Sequence, residues 1–172
     1  PQPETWKPTG NTITIDGFQI ECAALEAVAA LADRQKMVFH GGHPIQVQHE
    51  DLPADAYRLT IEEDGVTIAA SSYGGQLYAA VTLVMLLRDG PLPCGEIYDA
   101  PRFGWRGQHL DTARHYYEPE SIFALLDLMA LLKLNRFHWH FADDEAFRIE
   151  LETMPELTEK TKFRGDGQFL PG

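Results

Sequence analysis

Arg102-Phe103-Gly104-Trp105-Arg106-Gly107-Gln108-His109-Leu110-Asp111-Thr112-Ala113-Arg114-His115-Tyr116-Tyr117 is answered further on by Lys133-Leu134-Asn135-Arg136-Phe137-His138-Trp139-His140-Phe141-Ala142-Asp143-Asp144. Gln108 to Ala113 alternates its side chains as a strand does. Pro119 suits the first position of a helix, where its missing N–H costs nothing. Ile122, Phe123, Leu125, Leu126, Met129 and Leu132 then recur at helical spacing, and the pattern yields near Lys133 and Asn135 to a second strand, Arg136–Phe141. Strand, helix and strand of these lengths predict a βαβ unit with parallel strands and a right-handed crossover. Arg114 ends the first strand and Asp143 follows the second, the positions from which a parallel barrel builds its active site.

The preceding residues have a different character. Thr12–Ile15 alternates as a strand, and Cys22–Ala32 has the Ala and Leu content and spacing of a helix. Lys36–His40 and Ile45–Gln48 are short strand candidates. Arg58–Glu62 and Val66–Ala69 flank Glu63-Asp64-Gly65, a hairpin signal in which Gly would accept a positive φ. A second helix is expected from Gly75 to Arg88, closed by Gly90 and Pro91. Pro91, Pro93, Gly95 and Pro101 read as a boundary. The expected fold class is therefore α/β. An α+β domain over residues 1–98, with an antiparallel sheet and helices on one face, precedes a βαβ unit over residues 99–172 that looks like the opening of a larger barrel; that this is the first unit of an incomplete (β/α)8 TIM barrel is what a family resemblance of its motifs implies. The tail from Met154 to Gly172 reads as a βα loop.

Composition narrows the function. The chain has 172 residues, 44% hydrophobic and 23% charged, with a net charge of −12. That charge argues against a nucleic-acid partner, which needs clustered Lys and Arg. No run of 18 apolar residues exists to span a membrane. Cys22 and Cys94 make no disulfide framework. Pro1 in place of Met points to a processed or excised chain, and the compartment stays open among periplasm, exterior and cytoplasm.

Three constellations could carry chemistry. Adjacent parallel strands lie about 4.8 Å apart, so Arg114 and Asp143 can form a charge-assisted pair and share a ligand hydroxyl; the same pair could merely close a barrel rim. His138 and His140 share one face of the second strand with Arg136, opposite Phe137, Trp139 and Phe141. With Asp143 they could ligate a metal or simply be hydrogen-bonded; His-x-His is a weak signal, and neither a metal nor a cofactor is assigned. Asp144-Glu145 is an adjacent carboxylate pair of a kind common in acidic chains.

These motifs resemble a known family. Asp99-Ala100-Pro101-Arg102-Phe103, Trp105-Arg106-Gly107, Leu110-Asp111 and Arg114-His115, with Leu128-Met129-Ala130, Lys133-Leu134-Asn135, Phe137-His138-Trp139-His140 and Asp143-Asp144, resemble the opening of the catalytic domain of glycoside hydrolase family 20, the β-N-acetylhexosaminidases. The stretches Tyr57–Ile61, Gly65–Ile68 and Gly75–Leu83 look like the small domain that precedes that barrel. The resemblance implies hydrolysis of terminal β-linked N-acetylglucosamine or N-acetylgalactosamine by a retaining, substrate-assisted route, in which the sugar's acetamido oxygen attacks its own anomeric carbon. It implies that Arg114 binds sugar hydroxyls, that Asp143 braces Arg114, and that His140 lies beside the same subsite. The family's catalytic Asp-Glu pair follows Gly-Gly at the fourth strand; no Gly-Gly-Asp-Glu occurs here, and Asp144-Glu145 follows the second strand instead. A barrel needs about 250 residues, so the catalytic pair is expected beyond this chain, which alone would be inactive and prone to self-association through unfinished strand edges. Two rival readings are a non-catalytic carbohydrate-binding or interaction module and a barrel metallohydrolase fragment. Chitin fragments, glycans and glycolipids are equally open as substrates.

Overall fold

A computed structural model describes residues 2–144, 146–147 and 149–161. It falls into two compact units, one up to Gly104 and one from Trp105 on. The first unit runs β1 (Thr5–Ile13), α1 (Ala23–Arg34), β2 (Ile45–His49), β3 (Tyr57–Ile61), β4 (Val66–Ala70), α2 (Tyr73–Arg88) and β5 (Leu92–Asp99). Its five-stranded sheet has the order β1-β5-β3-β4-β2. The pairs β1–β5, β5–β3 and β3–β4 are antiparallel, and β2 joins β4 in parallel.

Alternation decides how this sheet is covered. Tyr57, Leu59 and Ile61 of β3 and Val66, Ile68 and Ala70 of β4 are buried, while Arg58, Thr60 and Thr67 are only partly so. Helix α2 lies across β3, β4 and β5, and α1 packs beside it. In contact with both the sheet and α1, α2 is apolar round much of its circumference, with Tyr78, Ala79, Val81, Leu83 and Val84 all buried. Ser72 caps it by accepting the Gly75 N–H at 3.2 Å. The Tyr57 hydroxyl, buried at the sheet, meets Thr82 Oγ1 at 2.6 Å and Asp99 Oδ2 at 3.1 Å. Burial first, then the Asp99 charge, pushes its phenol above the usual range.

Several expectations need correction here. The first strand starts at Thr5 and ends at Ile13. Lys36–His40 is not a strand: Lys36 takes φ +55° to close α1, its N–H reaching Asp33 O and the Met37 N–H reaching Ala32 O at 2.8 Å, the double bond of a Schellman motif. Gly65 does not sit in the left-handed region; a four-residue loop, residues 62–65, joins β3 to β4, with the Glu62 N–H donating to Gly65 O. Pro93 and Gly95 lie inside β5. Both are tolerated because β1 shifts register between Pro8 and Thr12 opposite them. Gly95 takes φ +149°, and a Cβ there would stand 2.3 Å from the Lys7 carbonyl oxygen.

The second unit opens with β6 (Gly107–Asp111), α3 (Pro119–Leu131) and β7 (Arg136–His140). The two strands are parallel, with His109 beside His138 and Asp111 beside His140. Pro119 takes the first helical position, as its missing N–H predicts. Lys133, at φ +59°, ends α3 as Lys36 ends α1, with the Leu134 N–H on Met129 O at 2.8 Å. Of the predicted apolar face only Ile122 and Met129 are buried; Phe123 is 64% exposed, because a two-stranded sheet covers only part of a helix. A small antiparallel pair follows, β8 (Ala142–Asp143) and β9 (Ala146–Phe147). The tail is not all loop, since Pro155–Thr161 forms α4; the rest of it, from residue 162, lies outside the described residues. Among those residues no helix is long and apolar enough to cross a membrane.

Candidate functional site

Three carbonyl-end features of β6 and β7 build the site. Asp111 closes β6, and the chain turns at once. Its Oδ1 accepts the N–H groups of Ala113 and Arg114, both at 3.0 Å, so a side chain directs the turn that a backbone ladder would otherwise continue. That turn carries Arg114 back over the strand end. On β7, His140 stands beside Asp111, and its carbonyl accepts the Thr112 N–H at 3.0 Å, extending the pairing by one step. Beyond it, β8 delivers Asp143.

Arg114 Nε lies 3.3 Å from Asp143 Oδ2. The sequence-predicted partners thus meet, but Asp143 is the second carboxylate. The first is Asp111, whose Oδ2 lies 2.5 Å from the same Nε. His140 joins the group, its Nε2 standing 3.2 Å from Asp143 Oδ2. Asp143 Oδ1 accepts the Asp144 N–H at 2.7 Å. Arg114, Asp143 and His140 therefore converge within one hydrogen-bonded cluster. Asp111 is the member that sequence reasoning misses. The available signal is Asp followed three residues later by Arg at a strand end, the spacing of an Asx turn.

The electrostatics follow from these contacts. The Arg114 N–H, more than any other group, holds the Asp111 carboxyl below the usual carboxylate range, with the Arg114 guanidinium adding to it. The Asp143 carboxyl is lowered chiefly by the Asp144 N–H and next by His140, with Arg114 contributing its charge. Both groups are thus anionic at neutral pH. Side-chain exposures of 56% for Arg114, 20% for Asp111 and 28% for Asp143 leave the cation outermost, with its braces beneath. A braced guanidinium ringed by carboxylates and an imidazole offers donors and acceptors at fixed positions, the chemistry that recognises vicinal hydroxyls.

Other candidates separate from this cluster. His138 lies on the same strand face as His140, with His109 across from it at 4.7 Å between ring centroids. Arg136 turns its guanidinium to the Asn135 carbonyl at 2.8 Å. Asp144 is exposed, and Glu145 lies outside the described residues. On the opposite face of the strands a cavity of about 420 Å3 opens between Ile122, Phe123 and Leu126 of α3 and Trp139 and Phe141 beside it. Its lining is apolar and brings no titratable groups together apart from tyrosines, so it is a packing space between strand and helix.

Comparison with known proteins adds three findings. The family described as glycosyl hydrolase family 20, domain 2, matches residues 1–100, and glycosyl hydrolase family 20, catalytic domain, matches residues 103–169. The chain is similar to a beta-hexosaminidase of Vibrio furnissii, 41% identical over 123 residues that cover 69% of this chain and 20% of that protein. It is similar to an N,N'-diacetylchitobiase of Vibrio harveyi, 35% identical over 167 residues, 87% of this chain and 19% of that protein. A solved GH20 exo beta-N-acetylglucosaminidase of Vibrio harveyi, in complex with N-acetylglucosamine, superposes with a TM-score of 0.79 and 32% identity, over 92% of this chain and 28% of that one. The chain thus spans about a fifth of the length of the curated relatives it matches.

Proposed function

Since the chain belongs to glycosyl hydrolase family 20, we propose that it supplies the sugar-gripping wall of a β-N-acetylhexosaminidase active site. The substrate is a glycoside ending in β-linked N-acetylglucosamine or N-acetylgalactosamine. The observation that carries this reading is the convergence of Asp111, Asp143 and His140 on or beside Arg114 at the carboxyl ends of two parallel strands. Arg114 donates to hydroxyls of the terminal sugar. Asp111 and Asp143 hold its guanidinium at a fixed angle, so that little rotamer freedom is lost when sugar binds. His140 fixes Asp143 from the other side.

The chemical step needs more than this wall. In the substrate-assisted route, one carboxylate orients the acetamido group while its oxygen closes on the anomeric carbon, and a carboxylic acid gives its proton to the departing oxygen. No Gly-Gly-Asp-Glu occurs in these 172 residues, and Asp111 and Asp143 are committed to Arg114. The 172-residue chain by itself therefore binds sugar weakly and hydrolyses nothing. The exposed apolar groups of the second unit, Phe123 on α3 and Trp139 on β7 among them, favour self-association of the isolated chain.

The test is NMR titration of the isotope-labelled chain with N-acetylglucosamine. Shifts centred on Arg114, His140 and Asp143, with an affinity in the millimolar range or about −4 kcal/mol, are expected, and Arg114→Ala removes them. Shifts that avoid these residues, or that persist in Arg114→Ala, overturn the proposal. Turnover of an aryl β-N-acetylglucosaminide by the purified chain would contradict its predicted inactivity.

A further inference from the structure

We propose that His109, His138 and His140 form a binding site for a divalent transition-metal cation of the zinc type, separate from the sugar grip in its ligands except for His140. Strand register builds the site. Pairing Gly107 with Arg136 sets His109 beside His138 and turns both to the same face, and His140, two residues on, points the same way. The three imidazoles offer nitrogens within 4.8 Å of one another. The rings of His109 and His138 lie edge to face with centroids 4.7 Å apart, and those of His109 and His140 are tilted at 46° with centroids 5.7 Å apart.

Tetrahedral zinc with Zn–N bonds near 2.05 Å sets its nitrogen ligands about 3.4 Å apart. Closing the gap needs ring movements of about an ångström, within reach of χ rotation. His109 and His138 are exposed and His140 half-buried, so little packing opposes it. Three imidazoles with an open fourth position make a ligand set that prefers zinc, copper, nickel or cobalt over magnesium or calcium. Asp143 supports the site from behind. Its carboxylate lies 3.2 Å from His140 Nε2, the kind of carboxylate–histidine contact that orients a metal-binding ring.

A second cluster, Asp111, His140 and Asp143, also has ligand atoms within 4.8 Å of one another. It is the poorer site, because the Arg114 guanidinium already lies on both carboxylates and repels a cation. The charged neighbours of the imidazoles are Arg136, turned to a backbone carbonyl, and at the His140 end Asp111 and Asp143, whose carboxylates offset the charge of the Arg114 guanidinium they hold.

The test uses the untagged, chelator-treated chain titrated with ZnCl2 by calorimetry, and with Co2+ by visible absorption. We expect one equivalent bound with a Kd on the order of micromolar, the intense d–d bands of four-coordinate cobalt, and no uptake of Mg2+. His109→Ala and His138→Ala each weaken zinc by about tenfold or more, while His115→Ala, outside the trio, leaves it unchanged. Circular dichroism checks that the variants stay folded. In the unmutated chain, imidazole 15N shifts on adding zinc must fall on His109, His138 and His140. Absence of saturable binding up to millimolar zinc, shifts on other histidines, or equal affinity in His109→Ala overturns the proposal. Loss of sugar binding leaves this outcome untouched, so the two proposals fail separately.

Discussion

Replacing Arg114 by Lys keeps the positive charge and removes the fork. Arg114 Nε stands 2.5 Å from Asp111 Oδ2 and 3.3 Å from Asp143 Oδ2. A guanidinium has five N–H donors spread over three nitrogens, so one edge can meet the carboxylates while others reach a ligand. An ammonium has one nitrogen. Seated between Asp111 and Asp143, it directs its donors at them and loses its reach toward the sugar. A hydrogen bond involving a charged group is worth about 1.5–3 kcal/mol. Losing one such contact in the transition state lowers kcat/KM by about ten- to 150-fold. The assay is hydrolysis of an aryl β-N-acetylglucosaminide by a complete family enzyme carrying this segment. Arg136→Lys is the control, because that guanidinium serves the Asn135 carbonyl and should cost less than about twofold. Arg114→Ala goes further, leaving two carboxylates close together with no cation between them, and raises both of their pKa values. If Arg114→Lys retains kcat/KM within about twofold of the parent, or if the Arg136 control loses as much, the braced-guanidinium argument fails.

Other outcomes follow from particular contacts. Asp111 and Asp143 have folded-state pKa values below their unfolded ones, so their contribution is present above the ordinary carboxylate pKa and lost only as pH falls through the depressed values. The Arg114 cluster should therefore persist at mildly acidic pH, and 13C titration of the two carboxyls should give midpoints below about 3.9; midpoints at or above that refute the assigned contacts. Gly95→Ala places a Cβ 2.3 Å from the Lys7 carbonyl oxygen at φ +149°; backbone strain and overpacking together cost about 2–6 kcal/mol, and calorimetry showing a melting point within about 2 °C of the parent contradicts the β1–β5 register. Lys133→Gly relieves a left-handed residue at the end of α3, which costs about 1–2 kcal/mol for an L-residue against about 0.5–1 for the freedom glycine loses. Chemical denaturation should find it as stable as the parent or up to about 1.5 kcal/mol more stable, and Lys133→Val less stable.

Periodicity made the local elements legible, and pairing made the site. The helix over Pro119–Leu131, the two strands around it and their parallel sense follow from spacing and from one proline. So does the meeting of Arg114 with Asp143, since neighbouring parallel strands must end near one another. Turn chemistry at the strand end was harder to see. Asp111 reads as one more polar residue in an alternating strand, until its Oδ1 is found turning the chain and its Oδ2 holding Arg114. Pro93 and Gly95 read as a boundary because ordinary strands exclude both. Only the partner strand's register shift makes room for them, and that shift belongs to residues more than eighty positions away.

Register is the common cause of what stayed hidden. A one-residue slip of β6 against β7 would set His109 beside Phe137 or Trp139 and turn its ring to the opposite face from His138 and His140. The histidine trio, and with it any zinc affinity, exists only in the observed pairing of Gly107 with Arg136. That pairing is held by the Arg106 N–H on Asn135 Oδ1 at 3.0 Å, and by the Arg106 carbonyl accepting the Asn135 and Arg136 N–H groups at 2.8 and 3.1 Å. Asn135 thus sets at one strand's start what His140 and Asp143 do at its end. No pattern within either strand carries this information, because alternation is the same in every register that differs by two.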